Sequence, residues 1–134
     1  MKKTILYSIL ILFISIAGNA QKNNELAGAW EMTYQLFTTA DTTVERTEFL
    51  HPSIKVLSTG YFSYCAESGR GHTGKYYYDG KTYTEVVKYG YNAEMVGQTN
   101  DFKSKLEDGE WHISGTIILN EREVKLAEKW KRID

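Results

Sequence analysis

Three charged residues stand where an alternating strand would turn an apolar side chain inward: Lys55, Glu85 and Glu128. The chain carries ten tyrosines, and Tyr34, Tyr64, Tyr76, Tyr78, Tyr83 and Tyr89 fall in the same phase as these charges. A charge taken from water without a partner costs several kcal/mol. Such groups therefore need counter-charges, hydrogen bonds or a ligand. Lys55 and Glu85, with the hydroxyls of Tyr64, Tyr76, Tyr83 and Tyr89, can line a site for a small polar or amphipathic molecule. The same side chains can instead close into a network of Glu–Lys and Tyr–Glu bonds that only fixes register. A third chemistry is catalytic: burial would raise the Glu85 carboxyl into a useful acid–base range, and a tyrosine could donate to a developing oxyanion. No nucleophile elbow, Ser-His-Asp order or paired-carboxylate spacing accompanies it. His51, His72 and His112 lack metal-ligand spacing, so neither a metal nor another cofactor is expected. Ser68-Gly69-Arg70-Gly71-His72 opens no helix and is read as a solvated rim rather than a phosphate loop.

The elements that must position these groups are strands. Turn signals recur at short intervals, the only proline is Pro52, and no stretch after residue 20 sustains a helical period, so a barrel or sandwich is expected. Val44 to Leu50 reads as a short helix or a strand. Thr59-Gly60, Asp79-Gly80, Asp108-Gly109 and Asn120-Glu121 are the hairpin turns, since such pairs accept positive φ. Counting outward from two-residue turns sets Leu57 opposite Phe62 and Lys55 opposite Tyr64. It sets Tyr76 opposite Tyr83, Gly74 opposite Glu85, Leu106 opposite Trp111 and Phe102 opposite Gly115. It also sets Ile117 opposite Val124, Ile113 opposite Glu128 and Trp111 opposite Trp130.

Opposed residues share a face, and period 2 extends that face along each strand. One face then collects Leu26, Gly28, Trp30, Met32, Tyr34 and Leu36, and continues through Leu57, Phe62, Gly74, Val87, Phe102, Ile113, Val124, Leu126 and Trp130. The other face, with Glu31, Thr33, Gln35, Lys75, Lys103, His112 and Lys129, is polar almost throughout. The expected fold is all-β: one up-and-down antiparallel barrel of about eight strands. At that size the interior holds side chains or one small ligand.

Residues 1–20 have the three-part pattern of a secretory signal peptide: Lys2 and Lys3, an apolar run from Ile5 to Ala17, and small residues at Gly18 and Ala20. The apolar run is shorter than the ~20 residues of a spanning helix. The expected division is a signal peptide over 1–20 and a barrel domain over 21–134, placed in the periplasm or outside the cell. Removing Lys2 and Lys3 leaves 14 basic against 17 acidic residues. With no basic patch, nucleic acid is not an expected partner and neither is an anionic membrane surface. Cys65 is the only cysteine, so no internal disulfide supports the domain and the core must do so. A small buried hydrophobe is the expected role of Cys65.

Gly28-Ala29-Trp30 resembles the Gly-x-Trp signature of lipocalins. The ordered set Ile54-Lys55, Phe62-Ser63-Tyr64, Gly74-Lys75-Tyr76, Asp79-Gly80, Tyr83-Thr84-Glu85, Asp108-Gly109 with Trp111, and Glu128-Lys129-Trp130-Lys131-Arg132 resembles small exported lipocalin-like barrels of bacteria. The likeness covers most of the chain after residue 20. It implies a ligand-binding barrel in which Trp30 sits at the closed end under a basic side chain from the last strand, here Arg132. Gly28, Trp30, Glu128, Trp130 and Arg132 are accordingly given structural roles.

Three functions follow: non-catalytic binding of a small molecule in the interior, a protein-binding accessory or inhibitor module, and a small barrel enzyme using Glu85. Gly90 to Asn100, with Tyr91, Met95 and Val96, is the segment that could act as a lid or as a contact for a protein partner.

Overall fold

The computed structural model describes residues 24–134, so the expected signal peptide lies outside the described residues. The described chain is all-β, with nine antiparallel strands: β1 (Gly28–Thr38), β2 (Thr43–Arg46), β3 (Ile54–Leu57), β4 (Tyr61–Cys65), β5 (Gly71–Tyr78), β6 (Thr82–Gly90), β7 (Thr99–Glu107), β8 (Glu110–Leu119) and β9 (Arg122–Arg132). From β3 onward each strand pairs with the next, and β1 pairs with both β3 and β9. The result is a closed eight-stranded, lipocalin-like barrel. β2, the ambiguous Val44 segment, is a strand outside this ring that pairs with the second half of β1.

Turn chemistry sets three of the four hairpin registers where counting from the sequence puts them. Leu57 faces Phe62, Leu106 faces Trp111, and Trp111 faces Trp130. Asp108 and Gly109 take φ of 53° and 78°, and Asn120 and Glu121 take 50° and 60°. Both central residues are thus left-handed, which matches the twist of the flanking strands. The fourth hairpin differs. The Asp79 carboxylate accepts the N–H groups of Lys81 and Thr82, so the turn centres on Gly80-Lys81. Tyr76 then faces Glu85 and Tyr78 faces Tyr83. The shift is even, so each of these side chains keeps its face.

Two bulges do change faces, because an extra residue on one strand breaks the period of 2. In β1 the register steps between Met32 and Tyr34. Tyr34 and Leu36, expected inside, leave the inner face, whereas Gln35 is buried inside it. In β6, Gly74 pairs with Val87 but Thr73 pairs with Tyr89, leaving Lys88 as the extra residue. Tyr89, expected in the interior, is therefore on the outside and 73% exposed. Gly74 permits this approach: a Cβ there would run into the Val86 carbonyl. Gly74 consequently opposes Val87 and not Glu85.

The core is aromatic. Trp30, Trp111 and Trp130 are buried, with Tyr83 edge-on to Trp111 at 4.9 Å. At the closed end, Arg132 lies 4.3 Å from the Trp30 ring centroid and donates to the Ala27 and Glu25 carbonyls. The Trp30 indole donates to Leu26 at 2.9 Å. Cys65 is exposed rather than buried. It follows inward-facing Tyr64 on β4 and so takes the outer face.

Candidate functional site

Register delivers Lys55, Glu85 and Glu128 to the barrel interior, where they are 4%, 3% and 7% exposed. Each sits among large apolar neighbours on alternating strands, so the local pattern that packs the core also strips these groups of water. Lys55 Nζ donates to Glu85 Oε1 at 2.7 Å, and the Tyr83 hydroxyl donates to the same oxygen at 2.8 Å. The Lys55 ammonium also lies among four rings: Trp130 at 4.9 Å, Tyr83 at 5.3 Å, Trp111 at 5.5 Å and Tyr64 at 5.7 Å. Aromatic faces attract a desolvated cation. They compensate part of the water the ammonium loses, and Glu85 supplies the counter-charge.

His72 belongs to β5 rather than to a rim. Its Nε2 stands 3.6 Å from Glu85 Oε2, too far for a strong hydrogen bond. Burial pushes the Glu85 carboxyl up, but Lys55 and His72 outweigh it and hold it at about 2. The direction is opposite to the rise that burial alone would give, because Lys55 and His72 favour the carboxylate form. Glu128 behaves oppositely. Its oxygens accept from Gln35 Nε2 at 3.2 Å and from the Trp130 indole at 3.0 Å. Burial nevertheless keeps its carboxyl above the ordinary value, with repulsion from Glu85 acting the same way and Lys55 opposing both. Burial likewise raises Tyr83, well above its usual range, with the adjacent Glu85 adding to the effect.

These groups form the polar part of a cavity of about 440 Å³. Gln35, Lys55, Tyr64, His72, Glu85, Asn100 and Glu128 are its polar lining. Phe37, Phe102, Ile113, Ile117, Leu119 and Leu126 supply apolar wall, and Ala66, Arg70, Tyr91, Asn92, Ala93 and Met95 come from the β4–β5 and β6–β7 connections. Within the β6–β7 connection, the Glu94 carboxylate accepts both N–H groups of the Asn120-Glu121 turn, at 2.7 and 2.9 Å. Arg70 stacks 4.4 Å from the Tyr91 centroid. Both connections are thus tied down at the open end of the barrel.

Of the residues proposed from sequence, Lys55, Glu85 and Tyr64 line the cavity and Tyr83 supports them from beneath. Tyr76 is buried elsewhere: its hydroxyl donates to the Ser58 carbonyl at 2.6 Å and also meets Asn24, so it braces the closed end. Tyr89 points to solvent. Glu128, given a purely structural role from sequence, lines the cavity and makes no ion pair with Arg132 or Lys131. Sequence reasoning missed Gln35, His72 and Asn100. Gln35 left no signal, because the β1 bulge is unmarked. His72 and Asn100 did: each is two residues from an inward-facing neighbour, Gly74 and Phe102.

Asn100 pairs with Glu85 across β6 and β7. It is 6% exposed, and its Nδ2 is the one buried side-chain polar atom without a hydrogen-bond partner among the described residues. Among the described residues, no three His, Cys, Asp or Glu side chains converge as metal ligands. Compared with protein-family models, with curated proteins and with solved structures, the chain matches none.

Proposed function

We propose that this protein is exported and binds a small amphipathic molecule inside its barrel without chemically changing it. The carrying observation is the cavity of about 440 Å³, which joins an apolar wall to a buried polar floor. That volume lies within the range of small-molecule sites, which combine apolar walls with a few convergent polar groups. An apolar tail packs against Phe37, Ile117 and Leu126, while a polar head reaches the Lys55, Glu85 and Asn100 end. Export rests on the N-terminal sequence pattern.

The reading favours binding over catalysis because the Glu85 carboxylate is already committed to Lys55 and Tyr83. The test is native mass spectrometry of protein purified from periplasm or culture medium. The expected result is a co-purifying small mass, lost on partial unfolding. Protein that emerges empty, with a stoichiometric protein partner instead, overturns the reading in favour of an accessory module.

A further inference from the structure

The buried polar groups of the floor are not equally satisfied, and the imbalance specifies a ligand. This inference rests on the binding reading above and concerns the head group. Every buried polar group needs a partner, or its burial carries a desolvation penalty. Lys55 is matched by Glu85, and Glu128 by Gln35 and Trp130. Asn100 Nδ2 is a buried donor with no partner among the described residues. Directly across the ladder, Glu85 Oε2 has only the 3.6 Å approach of His72. An open donor and an open acceptor therefore stand side by side on neighbouring strands, facing one cavity.

The charges around them narrow the choice. Deep in the cavity two carboxylates, Glu85 and Glu128, stand against the single ammonium of Lys55, with His72 3.6 Å from Glu85 and Arg70 on the β4–β5 connection. A third carboxylate would meet negative charge in a desolvated place, where an unpaired ion is costly. An incoming ammonium would have no lone pair to give Asn100, and the aromatic faces there already surround Lys55. A hydroxyl or a carboxamide satisfies both positions, accepting from Asn100 and donating to Glu85.

We propose that Asn100 and Glu85 form a head-group subsite for an uncharged hydroxyl or carboxamide at the end of an apolar chain. Selectivity for neutral over ionised amphiphiles is then a property of the barrel floor. Asn100 is the residue that reads the oxygen.

The experiment uses diphenylhexatriene, a fluorescent hydrocarbon with no hydrogen-bonding atom, as the probe. Decanol, decanoate and decylammonium displace it from the purified protein at pH 7. Decanol is expected to bind at least about tenfold more tightly than either ion. Asn100→Leu keeps the size of the side chain and removes the donor. It should weaken decanol about tenfold relative to the probe, the value of one hydrogen bond. Asn100→Ala serves as the second variant and should do the same. Decanoate or decylammonium binding as tightly as decanol, or decanol affinity untouched in both variants, overturns the head-group assignment while the binding reading stands. Failure of the probe and of all three amphiphiles to bind overturns both.

Discussion

Replacing Lys55 with methionine removes the ammonium and keeps most of the side-chain volume. It leaves Glu85 buried and ionised beside Tyr83 and His72. Both members of the pair are only 4–5% exposed at the side chain, and breaking such a pair from one side costs about 3–5 kcal/mol. The Glu85 carboxyl, held at about 2 against an ordinary 4.5 by Lys55 and His72 together and against the opposing effect of burial, moves in the direction this pairing requires. The assay is urea unfolding followed by indole fluorescence, since all three tryptophans are buried in the barrel. At pH 7, Lys55→Met should lose about 3–5 kcal/mol. Without Lys55, burial drives the Glu85 carboxyl upward, so near pH 4.5 it protonates and the loss should shrink to about 1 kcal/mol. Combining Lys55→Met with Glu85→Gln should be less damaging than Lys55→Met alone at pH 7. A loss under about 1 kcal/mol at pH 7, or the same loss at both pH values, would refute the account of the pair. So would strict additivity of the two substitutions.

Stability should also vary with pH in a defined order. Glu85, held low, contributes stability above 4.5 that is lost as pH falls toward about 2. Glu128, held high, contributes stability below its unfolded value that is lost as pH rises through its folded one. Maximum stability should therefore lie on the acid side of neutrality, and Glu128→Gln should flatten the neutral flank in a pH series of thermal unfolding. Gly74→Ala places a methyl against the Val86 carbonyl and should cost about 2 kcal/mol or more, read from the urea midpoint. Leu119→Trp fills part of the cavity wall from a half-buried position. It should abolish diphenylhexatriene binding with a melting shift of only a few degrees, about 1 kcal/mol.

Much of the barrel was legible because period 2 and turn chemistry are local. The Thr59-Gly60, Asp108-Gly109 and Asn120-Glu121 turns set faces for Lys55, Phe102 and Glu128 that long-range pairing kept. The Asp79 hairpin moved by two residues because a side chain captured two backbone donors, an effect that counting does not contain. Bulges were the deeper obstacle. An extra residue at Thr33 or Lys88 reverses every later side chain, and nothing in Met32-Thr33-Tyr34 marks it. That reversal exchanged Tyr34 for Gln35 and expelled Tyr89.

The charged pair was visible as two charges in the apolar phase of their strands, and its distance and partners came only with the fold. His72 and Asn100 were hidden for a different reason. Glycine-rich and polar surroundings read as loop, although their alternation with Gly74 and Phe102 already placed them inward. Cys65 shows the same lesson in reverse: its phase relative to Tyr64 outweighs the general tendency of cysteine to be buried.

The most direct test of an occupied interior is an NMR titration of the uniformly nitrogen-labelled protein with decanol. The side-chain amide pair of Asn100, identified by its disappearance in Asn100→Leu, should move together with the backbone amides of Glu85, Phe102 and Ile113. Tyr77 and Tyr89, on the outer surface, should stay still. Shifts confined to that outer surface, with the Asn100 amide unmoved at saturation, would contradict the claim that this barrel receives its ligand inside.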